Sequence, residues 1–115
     1  RVAWTLHKMW VISAVQIDCA EAIVPYYRLL MRDAFGNYRD LMRDITLNPG
    51  MGDYLTMRGN KAQSVTGVPP NENYARELLQ LFTTGIPRLN QNGTPAAGAA
   101  YTEDDVKDLA RAFTG

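Results

Sequence analysis

The sequence predicts an all-α fold, a compact bundle of five or six short helices in a single domain, residues 1–115. Three observations support this prediction. Apolar residues recur at helical spacing, helix-capping residues precede these stretches, and no long stretch alternates as a half-buried strand does. A chain of 115 residues is long enough to bury about two thirds of its unfolded surface.

Two helices are predicted in the first part of the chain. The first covers Arg1–Val15, and its wide apolar face indicates that it is well buried. The second starts at Pro25, since proline suits the first position of a helix. Its predicted inner face consists of Tyr27, Leu30, Met31 and Ala34.

A third and a fourth helix are predicted in the following stretch. Asn37 is a favoured capping residue, and the helix after it repeats apolar residues at helical spacing. Its predicted inner face consists of Tyr38, Leu41, Met42 and Ile45. The Asn48-Pro49-Gly50 run breaks the pattern, and Met51–Met57 is predicted to form a short helix after it.

The segment Pro69–Gly85 has the strongest pattern in the chain and is predicted to be the central helix. Its two prolines stop any preceding helix, and Asn71 is a favoured capping residue. Gly85 is expected to end the helix with a positive φ. The predicted buried face consists of Tyr74, Leu78, Leu81 and Phe82.

Loops are predicted on both sides of this central helix. Arg58–Gly67 is polar and without periodicity, and a long loop or a small hairpin follows Gly85, because Asn92-Gly93 is a strong tight-turn dipeptide. The last helix is expected to begin at Thr102, which forms a capping box with Asp105. Its predicted inner face consists of Val106, Leu109, Ala110 and Phe113.

The polar face of the central helix contains the candidate functional residues. Glu72 lies four residues before Arg76, which favours an ion pair, and Asn73, Glu77 and Gln80 share another stripe. A solvated helix face explains this pattern, as does a buried polar network or a small-ligand site. The residues predicted for such a network or ligand site are Asn71, Asn73, Arg76 and Arg111.

Carboxylates offer a catalytic interpretation of the same face. Glu72 and Glu77 are the candidate acid and base, and a carboxylate pair of this kind can hydrolyse a glycoside. A divalent metal held by Glu and Asp side chains is a weaker hypothesis. The sequence has no zinc-type ligand set and no phosphate or dinucleotide loop, and we predict neither a metal nor a cofactor.

Composition argues against several classes of partner. Twelve basic and twelve acidic residues cancel, so no nucleic-acid partner is predicted. No apolar run is long enough to predict a membrane span. The chain opens without methionine, directly in a helical pattern, so we expect a fragment of a longer protein. Self-association through apolar faces exposed by truncation is then expected.

Six ordered segments also carry a family resemblance. They are AFGNYRDL (34–41), LNPGMGDYL (47–55), GNKAQ (59–63), PPNENYARELLQLFTTG (69–85), LNQNGTP (89–95) and YTEDDVKDLARAFTG (101–115). Together they resemble the bacterial domain-of-unknown-function family 1800. The resemblance places the family's strongest motif on Asn71–Glu77. It implies that the chain belongs to a longer protein, exported or periplasmic, and it implies no established activity.

Two functions fit these observations. The first is a non-enzymatic helical module with a structural or interaction role in a larger exported bacterial protein. The alternative is a hydrolase that uses the Glu72 and Glu77 carboxylates on a polysaccharide or an ester.

Overall fold

The computed structural model describes all residues, Arg1–Gly115, and shows a mostly helical chain. Seven α-helices, one π-helical turn and a two-stranded antiparallel sheet follow one another along the sequence. The prediction of an all-α fold is therefore confirmed only in a coarser form, because the hairpin adds a small sheet. The chain divides into two compact units, the N-terminal unit (Arg1–Arg58) and the C-terminal unit (Gly59–Gly115).

The N-terminal unit contains four helices. They are α1 (Val2–Met9), α2 (Ala20–Arg32), α3 (Tyr38–Thr46) and α4 (Pro49–Tyr54). The buried apolar side chains of this unit are Trp10, Ile12, Ile17, Tyr26, Leu30, Leu41, Ile45 and Met51. The hydroxyl group of Tyr26 donates a hydrogen bond to the backbone carbonyl of Trp10, which ties α2 to the residue that follows α1.

Helix α1 is shorter and more exposed than the sequence predicts. The periodicity extends to Val15, but the helix ends at Met9, and the backbone of Trp10 is no longer helical. The stretch after Trp10 is rich in β-branched residues, which favour the helix less than unbranched ones do. No residue of α1 is buried, and Trp4 is 57% exposed, so the prediction of a well-buried first helix is wrong.

Helix α2 begins before its proline. The sequence places Pro25 at the first helical position, but the helix starts at Ala20 and Pro25 lies inside it. Tyr26 and Leu30, four residues apart, are fully buried. Met31, predicted on the inner face, is 68% exposed, so that part of the prediction is wrong.

Helices α3 and α4 begin with the same kind of cap. The side-chain oxygen of Asn37 accepts a hydrogen bond from the backbone N–H of Arg39, and that of Asn48 accepts one from Gly50, both at 2.9 Å. Pro49 takes the first position of α4, where its missing N–H costs nothing. The Asn-Pro pair therefore starts a helix that the sequence analysis places two residues later.

The C-terminal unit contains three helices, the π-helical turn and the hairpin. In chain order they are α5 (Gln63–Thr66), α6 (Asn73–Glu77), the π-helical turn (Leu78–Phe82), β1 (Pro87–Leu89), β2 (Pro95–Ala99) and α7 (Glu103–Ala112). Helix α6 packs against α7 around a core of Ala75, Val106 and Ala110. The ring of Tyr74 meets that of Phe113 edge-on, with 5.2 Å between the ring centroids.

The loops flanking the central segment agree with the sequence in part. Helix α5 lies in the stretch predicted as a loop, and Gly67 ends it with a φ of 75°. The hairpin possibility is confirmed, with Leu89 opposite Pro95 and with Gly93 in the turn at a φ of 80°. Helix α7 begins with the predicted capping box.

The predicted central helix divides into α6 and the π-helical turn. The N-cap position of α6 is Glu72, and the side-chain oxygen of the residue before it, Asn71, accepts the N–H of Asn73 at 2.8 Å. Gly85 has the expected positive φ, 74°. Phe82 is buried, but Leu81 is 61% exposed, so its assignment to the buried face is wrong. A π-helical turn contains more residues than an α-helical turn. Leu81 is therefore rotated away from the buried face on which a continuous α-helix would place it.

Candidate functional site

Arg76 is the centre of the polar residues on α6. Its Nη2 atom donates a hydrogen bond to Glu72 at 2.9 Å, and its Nη1 and Nη2 atoms each donate one to Glu103 at 2.8 Å. The ion pair between Glu72 and Arg76 that the sequence predicts is present. We call these three residues the Arg76 clamp, because they join α6 to the first turn of α7.

The clamp holds its charges in place. Hydrogen bonds from Arg76 lower the pKa of Glu103 below its ordinary value. Hydrogen bonds to Glu103 and Glu72 raise the pKa of the Arg76 guanidinium. The fork of Arg76 matches the two oxygens of Glu103, which is the geometry of a bidentate, oriented ion pair.

Sequence reasoning missed Glu103 as a member of this site. Its position in the first turn of α7 is sufficiently explained by the helix dipole, which favours acidic residues there. Only the packing of α6 on α7 brings it to Arg76, 27 residues earlier in the chain.

A second group of hydrogen bonds holds the start of α6. The side chain of Asn60 accepts a hydrogen bond from the backbone N–H of Asn71 at 2.8 Å and donates one to its carbonyl oxygen at 3.1 Å. The side-chain oxygen of Asn71 in turn accepts a hydrogen bond from the N–H of Asn73, the first residue of α6. The sequence analysis does not predict Asn60 as a site residue. Its side-chain amide has both a donor and an acceptor, so it can bind the N–H and the carbonyl of one backbone residue.

A cleft of about 120 Å³ opens beside Glu72. Residues from α5, from the Pro-Pro turn and from α7 line it, namely Gln63, Pro69, Pro70, Glu72, Lys107, Ala110 and Arg111. The structure thus brings two of the predicted site residues, Glu72 and Arg111, to one cleft. The other predicted residues are not among those that line it: Asn71, Asn73, Arg76 and Glu77.

Two cations of α7 line this cleft one helical turn apart. The Nζ atom of Lys107 lies 3.4 Å from Asp104, and the Nη1 atom of Arg111 pairs with Asp108. Both acidic partners lie three residues earlier on the same helix. The side chains of Lys107 and Arg111 are 49% and 62% exposed, so a solute in the cleft can reach them.

Glu77 has a different environment. One of its carboxylate oxygens, Oε2, is buried and has no hydrogen-bond partner. Five positions separate Glu77 from Glu72, which corresponds to about 140° around an α-helix. Helix geometry therefore directs the two candidate catalytic carboxylates to different sides of α6.

The remaining chemistry of the chain is sparse. No group of three or more His, Cys, Asp or Glu side chains is arranged to hold a metal ion. Among the helices, none combines the length and the apolar character that crossing a membrane requires. The only cysteine, Cys19, is exposed and forms no disulfide.

These features define a mostly helical module in which a polar motif joins two helices beside a small charged cleft. The chain belongs to the family described as protein of unknown function DUF1800, whose family model matches residues 1–115, the whole chain. The resemblance drawn from the sequence segments is thereby confirmed. No curated protein and no solved structure matches the chain.

Proposed function

We propose that the chain is a non-catalytic helical module with a structural or interaction role in a larger, exported bacterial protein. The observation that carries the proposal is the Arg76 clamp. Two of the three charged residues in the Asn71–Glu77 stretch, Glu72 and Arg76, bind each other, and Arg76 also binds Glu103 of the neighbouring helix. These ion pairs hold α6 and α7 together, which is a structural role.

The clamp also weakens the case for acid–base chemistry at Glu72. A general acid or base must reach the proton that it transfers. One oxygen of Glu72 is occupied by Arg76, and the partner carboxylate proposed from sequence, Glu77, does not line the cleft with it.

One observation favours the alternative, a hydrolase acting on a polysaccharide or an ester. The buried, unpartnered oxygen of Glu77 is the kind of unsatisfied group that calls for an explanation, and a catalytic role is one explanation. Its position has a structural explanation too, because Glu77 is the residue at which α6 passes into the π-helical turn.

A stability measurement tests the structural role of the clamp. The variant Arg76→Gln removes both ion pairs and should lower the melting temperature by a few degrees, a modest effect because the pairs are partly exposed. The double variant with Glu103→Gln should lose less than the sum of the two single variants. Arg88→Gln, an exposed change in the hairpin, is the control. Equal melting temperatures for Arg76→Gln and Arg88→Gln would refute the structural role.

A substrate screen tests the absence of catalysis. The full chain is assayed against glycoside and ester substrates, and we expect no turnover above that of a heat-denatured sample. Turnover that disappears in Glu72→Gln or in Glu77→Gln would establish the hydrolase and overturn the proposed function.

A further inference from the structure

The geometry points to a binding site for a free amino acid in the cleft between the Pro69-Pro70 turn and α7. The site would take the ammonium group at Glu72 and the carboxylate at Lys107 and Arg111. This site gives the module a ligand, and the inference does not depend on whether the module is catalytic.

Opposite charges reach the cleft from different elements. Glu72 comes from the start of α6, and Lys107 and Arg111 come from α7. Arg76 binds the Oε2 atom of Glu72. The Oε1 atom of Glu72 can therefore accept a hydrogen bond from an ammonium group. Arg111 uses Nη1 for Asp108, and the other donors of its planar fork fit a carboxylate.

The rest of the lining sets the size and the character of the ligand. Pro69, Pro70 and Ala110 contribute carbon surface, and Gln63 contributes an amide that can donate or accept. Pockets for drug-sized ligands usually have volumes of about 300–1,000 Å³. A cleft of about 120 Å³ admits only a few heavy atoms, which suits an amino acid with a small side chain.

The charge balance distinguishes a zwitterion from a phosphate. The charged residues that line the cleft are Glu72, Lys107 and Arg111, and their ion-pair partners outside the lining are Arg76, Asp104 and Asp108. These three carboxylates and three cations balance, so there is no excess positive charge to attract a dianion. A ligand that carries one charge of each sign adds no net charge to this arrangement.

The walls of the cleft are held before any ligand arrives. Arg76 fixes the carboxylate of Glu72, and Asn60 holds the backbone of the preceding residue, Asn71, by two hydrogen bonds. The capping box holds the first turn of α7. A preformed site loses less conformational entropy on binding, so even a small ligand can bind measurably.

The test uses the full chain, labelled with nitrogen-15 and titrated with L-alanine. We expect saturable changes in the amide chemical shifts of Glu72, Ala110 and Arg111, and weaker binding of acetate, which lacks the ammonium group. In Arg111→Gln the dissociation constant for L-alanine should rise about fivefold or more, because a charge-assisted hydrogen bond is lost at a partly exposed site. Arg88→Gln should bind as the unmodified chain does.

Three results would overturn the inference. They are an absence of saturable shifts at the cleft, unchanged binding in Arg111→Gln, and tighter binding of inorganic phosphate than of L-alanine. Arg111 is exposed and pairs within its own helix, so its replacement leaves the core intact. Amide shifts that are unchanged away from the cleft in Arg111→Gln without ligand would show that its core is intact. These results are separate from the melting and turnover measurements that test the proposed function.

Discussion

Two residues at the start of α7 hydrogen-bond each other's backbone N–H groups, which have no acceptor within the helix. The hydroxyl oxygen of Thr102 accepts the N–H of Asp105 at 3.2 Å, and the carboxylate of Asp105 accepts the N–H of Thr102 at 2.7 Å. The first N–H groups of a helix otherwise depend on water. The exchange lowers the pKa of Asp105 from its ordinary value, mainly through the hydrogen bond from the backbone of Thr102.

This lowered pKa makes stability depend on pH in acid. Because the folded pKa of Asp105 lies below the unfolded one, its contribution is fully present above about pH 4 and is lost as the pH falls through the folded pKa. We expect the difference in melting temperature between the unmodified chain and Asp105→Asn to shrink as the pH is lowered below 4. A difference that stays constant between about pH 6 and pH 3 would show that the carboxylate charge is irrelevant to the cap.

At the scale of elements, the π-helical turn decides how the central segment ends. The hydroxyl groups of Thr83 and Thr84 donate hydrogen bonds to the carbonyls of Leu78 and Leu79, at 2.6 and 3.0 Å. The backbone N–H of Gly85 also reaches Leu79, at 2.9 Å. Carbonyl groups at the end of the helix are thereby satisfied without continuing it.

Gly85 is the residue on which this ending depends. Its φ of 74° is costly for any residue with a Cβ, while the nearest atom to an added Cβ lies 4.0 Å away. Gly85→Ala should therefore lower the free energy of unfolding by roughly 1–2 kcal/mol through backbone strain alone. Gly85→Asn should cost less, since Asn tolerates this conformation. Denaturation in urea measures both, and an Ala variant as stable as the Asn variant would contradict the strain argument.

The predictable features of these elements are those that depend on near neighbours in the chain. The caps at Asn37 and Thr102 and the positive φ of Gly85 follow from bonds within a few residues, and all three predictions are confirmed. The buried faces depend on what packs against each helix. Periodicity alone therefore misassigned Met31 and Leu81.

The site shows the same division between local and distant contacts. The spacing of Glu72 and Arg76 predicts their ion pair because both lie on one helix. Glu103 and Asn60 come from other parts of the chain, 27 and 11 residues away from their partners, and no local pattern marks them. The assignment of Glu72 and Glu77 as catalytic stays a prediction.

At the scale of the whole molecule, much apolar surface faces solvent. Phe35 is 90% exposed, Val15 is 95% exposed, and Met31 lies with Phe35 in an open groove beside the start of α1. Exposed apolar patches mark interaction surfaces or a tendency to associate. Self-association, the fragment character of the chain and its single-domain organisation all stay predictions.

Sedimentation across a range of protein concentrations tests self-association. The unmodified chain should show a larger mean mass as the concentration rises, because formal net charge is zero and gives no repulsion between copies. Phe35→Ser should shift this rise to higher concentration by several-fold, whereas the exposed polar change Gln91→Ser should not. A chain that remains monomeric throughout would remove this prediction.

The π-helical turn between Leu78 and Phe82 can also accommodate the deletion of one residue. A relative that lacks one residue there could wind the turn as ordinary α-helix and still keep both apolar anchors on one side, three positions apart. The hairpin and α7 would then follow at nearly the same place. We therefore expect deletions of a single residue among family members to fall here more often than elsewhere in the segment.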